Sequence, residues 1–284
     1  MGDQIKTFLL LGLLSVILIS MGGLVGGKSG LLIAFLIALG MNFVSYWFSD
    51  KIVLKMTGAR EVSRDEAPIL HDIVEELSYR ANIPKPRVYI TDDPSPNAFA
   101  TGRDPEHAAV AVTSGILRLL NARELKGVLG HEIGHIKHRD ILISSLAAVL
   151  ASTITFVADM ARWAMFFGVD RERNDNNNPL ALVGSILMLI LAPIAAMLIQ
   201  FAISRSREFL ADEEGAKLSR DPDALADALE KLHRGVEMIP SDTSPALSHM
   251  YIVNPLQGDF IANLFSTHPP FEERVRRLRN MRIY

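Results

Sequence analysis

Residues 121–140 read NARELKGVLGHEIGHIKHRD, and this stretch carries the pattern H-E-x-x-H between His131 and His135. Asn121 is a favourable N-cap, so we predict a helix that begins at the next residue. Side chains four positions apart share one face of a helix, which lets both imidazoles bind the same ion. Glu132 is rotated by about 100° from His131 and can reach a metal-bound water without binding the metal itself. The pattern predicts a zinc site with Glu132 as the general base and acid.

Two simpler explanations of this pattern are chance and a surface helix with two solvated histidines. The chain has eight His, and a shuffled chain of the same composition would show the pattern about once in a hundred. Gly130 and Gly134 lie in the same predicted helix, where each is unfavourable by about 1 kcal/mol relative to Ala. Two glycines are expected there if another backbone approaches that face closely. We therefore favour the zinc site.

A third zinc ligand has to come from another part of the chain, because catalytic zinc usually takes three protein ligands and one water. The chain has no cysteine, so the ligand is a His or a carboxylate. Ile141 occupies the third-His position of the longer H-E-x-x-H-x-x-G-x-x-H pattern, and His138 is too close in sequence to bind the same ion. We predict Glu208, within SREFLAD at 206–212, as the ligand. Asp212, one turn further, is predicted to accept a hydrogen bond from a ligand His. The alternative for Glu208 is a charge at the membrane surface.

Four apolar stretches predict membrane-spanning helices. The mean hydropathy is +0.22 with only 21% charged residues, and each stretch is near the roughly 20 residues that span a bilayer. Buried helices of a soluble protein are the alternative, but four such lengths rarely occur together in a soluble chain of this size. The first stretch lacks a clear cleavage site and a second follows directly, so we interpret the pair as a retained helical hairpin rather than a signal peptide. The stretches are 8–25, 30–48, 141–167 and 180–203, and the third is interrupted near its end by Asp159 and Arg162.

The predicted spans also relate the two ligand-bearing helices to each other. His135 lies about six residues, or roughly 9 Å of helix, before the third span. Glu208 lies about as far after the fourth. If these two spans form an antiparallel hairpin, both helices emerge on the same side of the membrane at the same height, where their side chains can meet.

A smaller part of the chain has the patterns of β-strands. Two stretches, 87–91 (RVYIT) and 108–113 (AAVAVT), predict strands, and 94–102 predicts a loop leading into an edge strand, while 65–81 has helical periodicity. The predicted fold is mainly α with a small β-sheet (α+β), in a polytopic membrane protein with four transmembrane helices and a gluzincin-type catalytic domain. We divide the chain into an N-terminal transmembrane hairpin at 1–50, a first catalytic part at 51–140, a second hairpin at 141–203 and a second catalytic part at 204–284.

Basic residues predict the orientation in the membrane. Cytoplasmic flanks of spans are enriched in Lys and Arg, which places both termini and the polar segments in the cytoplasm. The net charge of −3 is too small to indicate a nucleic-acid partner. The basic residues on the predicted cytoplasmic side are Lys51, Lys55, Arg60, Lys137, Arg139, Arg205 and Arg207, against Lys28, Arg171 and Arg173 on the opposite side.

The HEIGH helix, the SREFLAD segment after two further spans and the two N-terminal spans resemble the HtpX group of membrane zinc metalloproteases. These are bacterial and archaeal relatives of the CAAX prenyl endopeptidases, and the resemblance covers essentially the whole chain. It implies one Zn²⁺ per chain and a catalytic domain on the cytoplasmic face of the inner membrane. It also implies a role in stress response and quality control, with unfolded or misfolded membrane proteins as substrates.

Two more segments match the pattern of that group. Asn97, Ala98, Phe99 and Ala100 resemble its N-A-F-A edge strand, and an exposed strand can pair with an extended substrate through its backbone. The alternative is an ordinary junction between a loop and a strand. The other segment is H-P-P followed by R, in which His268 or Arg274 is expected to stabilise the oxyanion of the tetrahedral intermediate. The alternative for these two is a purely structural role.

Two other functions stay open from the sequence. One is a non-catalytic membrane scaffold or chaperone that keeps zinc for stability, although such a protein does not need a base like Glu132 beside the metal. The other is a CAAX-type peptidase that processes lipidated C-termini. Four spans are few for the enclosed chamber that this reaction needs. The remaining histidines, His71, His107, His233 and His249, are interpreted as structural or solvated.

Overall fold

The computed structural model describes residues 2–167, 204–255 and 269–282, and most of them lie in helices. The helices are α1 (Gly2–Met56), α2 (Pro68–Ala81), α3 (Ser114–Leu119), α4 (Ala122–Lys137), α5 (Ile141–Phe167), α6 (Arg205–Ser219), α7 (Pro222–Met238) and α8 (Phe271–Arg279). The strands are β1 (Arg60–Glu61), β2 (Arg87–Thr91), β3 (Ala98–Gly102) and β4 (Ala108–Thr113), and short 3₁₀ helices cover Pro105–His107 and Pro245–Met250.

The four strands form one small mixed sheet in the order β1-β2-β4-β3. β2 and β4 are parallel and have the bounds predicted from the sequence. β3 is antiparallel to β4 and lies at the edge of the sheet, as predicted. The prediction that this edge strand is exposed is wrong, because all five of its residues are buried. The chain is thus mainly helical with a small sheet.

The motif helix α4 begins at the predicted residue and is fixed by a reciprocal cap. The Asn121 side chain accepts a hydrogen bond from the backbone N–H of Glu124, and the Glu124 carboxylate accepts one from the backbone N–H of Asn121. α4 packs against α2, α6, α7 and β3, which places the motif inside the domain. Its apolar side chains Leu125, Val128, Leu129, Ile133 and Ile136 belong to the main hydrophobic core.

Glycines allow α4 and α6 to cross at very short range. A Cβ atom on Gly130 would lie 2.8 Å from the carbonyl oxygen of Gly215, and one on Gly215 would lie 2.6 Å from the backbone nitrogen of His131. A Cβ on Gly134 would be 3.2 Å from the carbonyl oxygen of Ala211. The predicted close approach of another backbone is therefore confirmed, and it brings α6 against the motif.

The N-terminal helix α1 turns back on itself at Gly27, which has a positive φ of 57° that favours glycine. Asn42 Nδ2 donates hydrogen bonds to Ser15 Oγ at 2.8 Å and to the Leu11 carbonyl at 3.4 Å, so the two arms lie side by side. Within the described residues, the arm Gly27–Met56 is the one helix long and apolar enough to cross a membrane. Ile5–Ser20 and Ile141–Ile154 are apolar but shorter, and the predicted fourth span, 180–203, lies outside the described residues. Four spans therefore stay a prediction.

Candidate metal centre

Three side chains converge where α4 crosses α6. His131 and His135 are four positions apart along α4, so both rings lie on the face toward α6. Glu208 reaches them from the first turn of α6. The Nε2 atoms of the two histidines are 3.1 Å apart. Glu208 Oε1 lies 3.4 Å from His135 Nε2, and Glu208 Oε2 lies 3.9 Å from His131 Nε2. The three predicted ligands are thus brought together.

These distances fit a single ion. Zinc bonds to His nitrogen or carboxylate oxygen are about 2.0–2.2 Å, so a tetrahedral ion separates its ligand atoms by about 3.3–3.5 Å. One ligand atom from each of His131, His135 and Glu208 lies within 4.8 Å of the others, and the closest separations bracket the tetrahedral value. The donor set of two imidazoles and one carboxylate suits zinc and several other divalent metals.

The far side of the His131 ring is held by a buried ion pair. His131 Nδ1 lies 2.9 Å from Asp212 Oδ1, so the contact predicted between Asp212 and a ligand His is present. Arg274 donates to both carboxylate oxygens of Asp212, at 2.8 and 2.7 Å, and to the Ile252 carbonyl at 2.8 Å. Burial raises the pKa of Asp212, but Arg274 and the bond to His131 outweigh burial and lower it to about 2. Asp212 is therefore a carboxylate that fixes the His131 tautomer and leaves Nε2 for a metal.

The far side of the His135 ring is held by Asp140, which the sequence analysis missed. Asp140 Oδ2 lies 3.2 Å from His135 Nδ1, and Arg207 Nη1 lies 3.6 Å from the other oxygen. The backbone makes this possible, because Arg139 has a positive φ of 62° and the Asp140 N–H donates to the His135 carbonyl at 3.0 Å. An acidic residue three positions after the end of the motif helix was the available signal.

The two histidines have opposite pKa shifts because their surroundings differ. Burial lowers the pKa of His131 to about 4, although Asp212 opposes the shift, so this ring is neutral at neutral pH. Burial also lowers the pKa of His135, but attraction to Glu208 and the hydrogen bond to Asp140 outweigh it and raise the pKa to about 9. In the metal-free protein His135 therefore carries a proton that a metal must displace.

Glu132 is almost fully buried beside the three convergent side chains, with 2% of its surface exposed. Burial raises its pKa to about 7, and the nearby Glu208 charge adds to the shift while His135 opposes it. The backbone N–H of Ala100 in β3 lies beside this carboxylate and opposes the rise in its pKa. A carboxylate with a pKa near neutrality is suited to taking up and releasing a proton at physiological pH.

A small cavity of about 30 Å³ adjoins this group. Of the residues predicted to bind substrate, Ala100 lines it, whereas Asn97 Nδ2 donates to the backbone carbonyl of Val253 at 2.7 Å. Arg274 lies behind Asp212, which favours the structural alternative for this residue over the oxyanion role. His268 lies outside the described residues. The cavity is lined by Ala100, His131, Glu132, His135, Asp140, Ile141, Ser144, Ser204, Arg207, Glu208, His249, Met250, Tyr251 and Ile252.

Comparison with known proteins assigns this site to a family. The family model for peptidase family M48 matches residues 64–282, which include all three convergent side chains. This chain belongs to peptidase family M48. A protease HtpX homolog from a Sulfurihydrogenibium species is 56% identical to this M48 peptidase over 99% of the chain and 97% of the relative. A protease HtpX homolog from Pyrococcus furiosus is 56% identical over 99% of the chain and 96% of the relative.

The resemblance to the HtpX group is therefore confirmed, and the M48 peptidase is a metalloprotease of a membrane-associated family. Among solved structures, that of S. mikatae Ste24p aligns with this chain at 18% identity and a TM-score of 0.49. The alignment covers 98% of this chain and 65% of the Ste24p chain. The family assignment rests on the sequence relatives and not on that overlap.

The other histidines interpreted from the sequence as structural or solvated differ in position. His249 lines the cavity, whereas His71, His107 and His233 do not. His71 Nε2 contacts the Val62 carbonyl at 2.9 Å, His107 Nδ1 contacts Asp104, and His233 stacks on Phe271. His249 is buried, its Nε2 lies 3.1 Å from the Ser144 carbonyl, and it lines the cavity. The sequence offered no spacing that links His249 to the motif, so its position there was not predicted.

Proposed function

We propose that this M48 peptidase is an integral-membrane zinc endopeptidase that hydrolyses peptide bonds of unfolded or misfolded membrane proteins. The observation that carries the proposal is a buried glutamate, Glu132, next to three convergent ligands, His131, His135 and Glu208. A site that held zinc for stability alone would not need a buried carboxylate with a pKa near 7 at that position.

The residues divide the work between metal binding and proton transfer. When bound by His131, His135 and Glu208, zinc would supply a Lewis acid that polarises the substrate carbonyl and lowers the pKa of water. Glu132 takes the proton from the attacking water and delivers it to the departing amine. The Ala100 N–H lies beside this carboxylate and favours its charged form, which opposes the effect of burial on its pKa.

Two carboxylates, Asp212 and Asp140, contribute indirectly by positioning the candidate ligand rings of His131 and His135. Asp212 Oδ1 lies 2.9 Å from His131 Nδ1 and Asp140 Oδ2 lies 3.2 Å from His135 Nδ1, so each carboxylate fixes the orientation of one ligand ring. We assign Arg274 the role of positioning Asp212, because its guanidinium donates hydrogen bonds to Asp212 and to the Ile252 carbonyl. His268 remains the candidate donor to the oxyanion, as the resemblance implies.

The membrane part of the proposal rests on α1 and on the basic residues near the predicted spans. In the second arm of α1, Leu32, Leu36, Leu39 and Phe43 are each 59–60% exposed, which suits contact with lipid rather than water. We propose four spans divided as 1–50 and 141–203, with both catalytic parts and both termini in the cytoplasm. The Lys and Arg residues near the predicted span ends support this orientation in the inner membrane.

Glu208→Ala tests the ligand set. We expect about a hundredfold weaker zinc binding and loss of cleavage of an unfolded protein, because a three-ligand site loses one ligand. The matched control is Glu213→Ala on the same helix, whose exposed carboxylate pairs with Lys217 at 2.6 Å. Zinc per chain is measured by mass spectrometry, and cleavage is measured with carboxymethylated α-lactalbumin, which stays unfolded.

Unchanged zinc content and activity in Glu208→Ala would remove Glu208 from the ligand set. The same assay also tests the substrate class, by offering the unfolded protein beside a prenylated peptide. We expect cleavage of the unfolded protein. Cleavage of the prenylated peptide alone would replace the quality-control function by processing of lipidated C-termini.

The pH dependence of zinc binding should follow the proton on His135. Because the metal-free pKa of His135 is raised to about 9, the ring is protonated below that pH and zinc must displace the proton. We expect the affinity to fall about tenfold for each pH unit below 9, and about one proton to be released per zinc at neutral pH. Titration calorimetry in two buffers of different ionisation enthalpy measures this release.

Asp140→Asn provides the comparison for this measurement. It removes one of the three carboxylates that raise the pKa of His135, the other two being Glu208 and Glu132, so the pH-dependent range should move to lower pH. An affinity that is independent of pH above 6.5, the ordinary range for His, would contradict a protonated His135 in the metal-free protein.

A further inference from the structure

The outer edge of β3 meets the cavity at Ala100, and on this edge the Ala98 carbonyl and the Gly102 N–H already have hydrogen-bond partners. In a strand, alternate residues point their N–H and C=O groups to the same side. The Ala98 carbonyl accepts a hydrogen bond from the Ile252 N–H at 3.1 Å. Two residues on, the Ala100 N–H lies beside the Glu132 carboxylate. Two residues further, the Gly102 N–H donates to Ser145 Oγ at 3.4 Å. The first of these contacts comes from an irregular segment that directly follows the 3₁₀ helix Pro245–Met250.

We call this segment, residues 250–253, the strap. Its last residue, Val253, is bound by the side chain of Asn97 through two hydrogen bonds. The Val253 N–H donates to Asn97 Oδ1 at 3.3 Å, and Asn97 Nδ2 donates to the Val253 carbonyl at 2.7 Å. A side-chain amide carries one acceptor and two donors, so Asn97 can pair with a backbone in the way that a neighbouring strand does. The strap is thus recognised through its backbone at two consecutive residues.

The side chains of the strap are buried in the same place. Tyr251 packs edge-on against Phe99 with the ring centroids 5.3 Å apart, and Ile252 is only 1% exposed. Met250, Tyr251 and Ile252 all line the cavity beside Glu132. The strap therefore occupies both the edge of β3 and one wall of the space where a peptide would meet the catalytic group.

We propose that the strap is an intramolecular pseudosubstrate that detaches from β3 when an extended polypeptide binds. The proposal rests on the proposed function, because it takes the ligand of β3 to be the backbone of a protein substrate. A substrate strand that pairs with this edge would hydrogen-bond to the Ala98 carbonyl, which in this structure accepts from the Ile252 N–H. It would also compete with Val253 for the side-chain amide of Asn97. The bound and free positions of the strap would thus set how readily the M48 peptidase admits a substrate.

Val253→Pro tests this competition. Proline has no N–H, so it removes the donor to Asn97 Oδ1 without touching the metal ligands or Glu132. Val253→Ala is the matched control, because it keeps the N–H while losing side-chain packing. For carboxymethylated α-lactalbumin we expect the KM of the proline variant to be about fivefold below that of the alanine variant, with kcat unchanged, as for loss of one hydrogen bond that holds a competitor. Equal KM values in the two variants would overturn the proposal.

Hydrogen exchange provides a second measurement that does not depend on a folded proline variant or on turnover. Zinc-loaded Glu132→Gln is mixed with an excess of carboxymethylated α-lactalbumin, and exchange at 250–253 is followed by mass spectrometry. We expect faster exchange at Ile252 and Val253 when the unfolded protein is present. Protection that stays unchanged would make the strap a fixed wall and overturn the proposal. If zinc-loaded wild type cleaves nothing, the proposed function fails instead, while the exchange of the strap still decides this proposal.

Discussion

Glu132→Gln should lower kcat for an unfolded protein by about 10²–10⁴ while the chain keeps its zinc. Glutamine has the same shape but cannot accept the proton of the attacking water. The loss is expected to be large because Glu132 is 2% exposed, and few water molecules can reach the site to replace it as a base. Zinc is expected to stay bound because the three convergent ligands are His131, His135 and Glu208. The measurement is cleavage of carboxymethylated α-lactalbumin in detergent, with zinc per chain determined on the same sample.

Glu213→Gln is the control for this experiment, because it makes the same chemical change at an exposed carboxylate of α6. Its activity should equal that of the wild type. If Glu132→Gln and wild type cleaved at the same rate, the general-base role would be lost. A membrane protein that keeps zinc for stability would then be the better account of this M48 peptidase.

The local part of the fold could be predicted because each signal lies within a few residues. Asn121 and Glu124 stand at the spacing of a capping box, and α4 begins where they indicate. The strands β2 and β4 follow from short runs rich in Val, Ile and Thr. The unfavourable glycines of the motif helix correctly indicated a close backbone, since Gly130 meets Gly215 across the crossing of α4 and α6.

The three candidate ligands could be predicted, because helix geometry sets the spacing of His131 and His135 and the predicted spans place Glu208 at the same height. Their surroundings could not be predicted. Asp140 contacts His135 only because Arg139 turns the chain back with a positive φ. The strap meets Asn97 across 156 residues of sequence, and no local pattern encodes such a contact. The exposure of β3 was mispredicted for the same reason, since the strap and α5 cover an edge that its own sequence leaves open.

Arg274→Met should be among the most destabilising single substitutions in the catalytic part. Both members of the Arg274–Asp212 pair are buried, with Arg274 at 2% exposure, and removing one partner leaves an uncompensated charge. Such a loss costs about 3–5 kcal/mol, which lowers Tm by roughly 10 °C for a chain of this size.

The pKa of Asp212, which is about 2 with Arg274 present, should rise, because Arg274 is the strongest influence that lowers it. A group with a lowered pKa stabilises the fold above its unfolded value near 4 and loses that contribution as the pH falls toward 2. In Arg274→Met this loss should therefore begin at higher pH.

The double variant Asp212→Asn/Arg274→Met separates the pair from its surroundings. Asparagine removes the buried charge and can still accept a hydrogen bond from His131, so much of the lost stability should return. Tm in detergent and zinc content are measured for the wild type, both single variants and the double variant. If the double variant is no more stable than Arg274→Met, the lost stability comes from the Ile252 carbonyl, which both variants leave without this donor. Recovery in the double variant would instead show that Arg274 stabilises the fold by neutralising the buried charge of Asp212, next to the candidate zinc ligand His131.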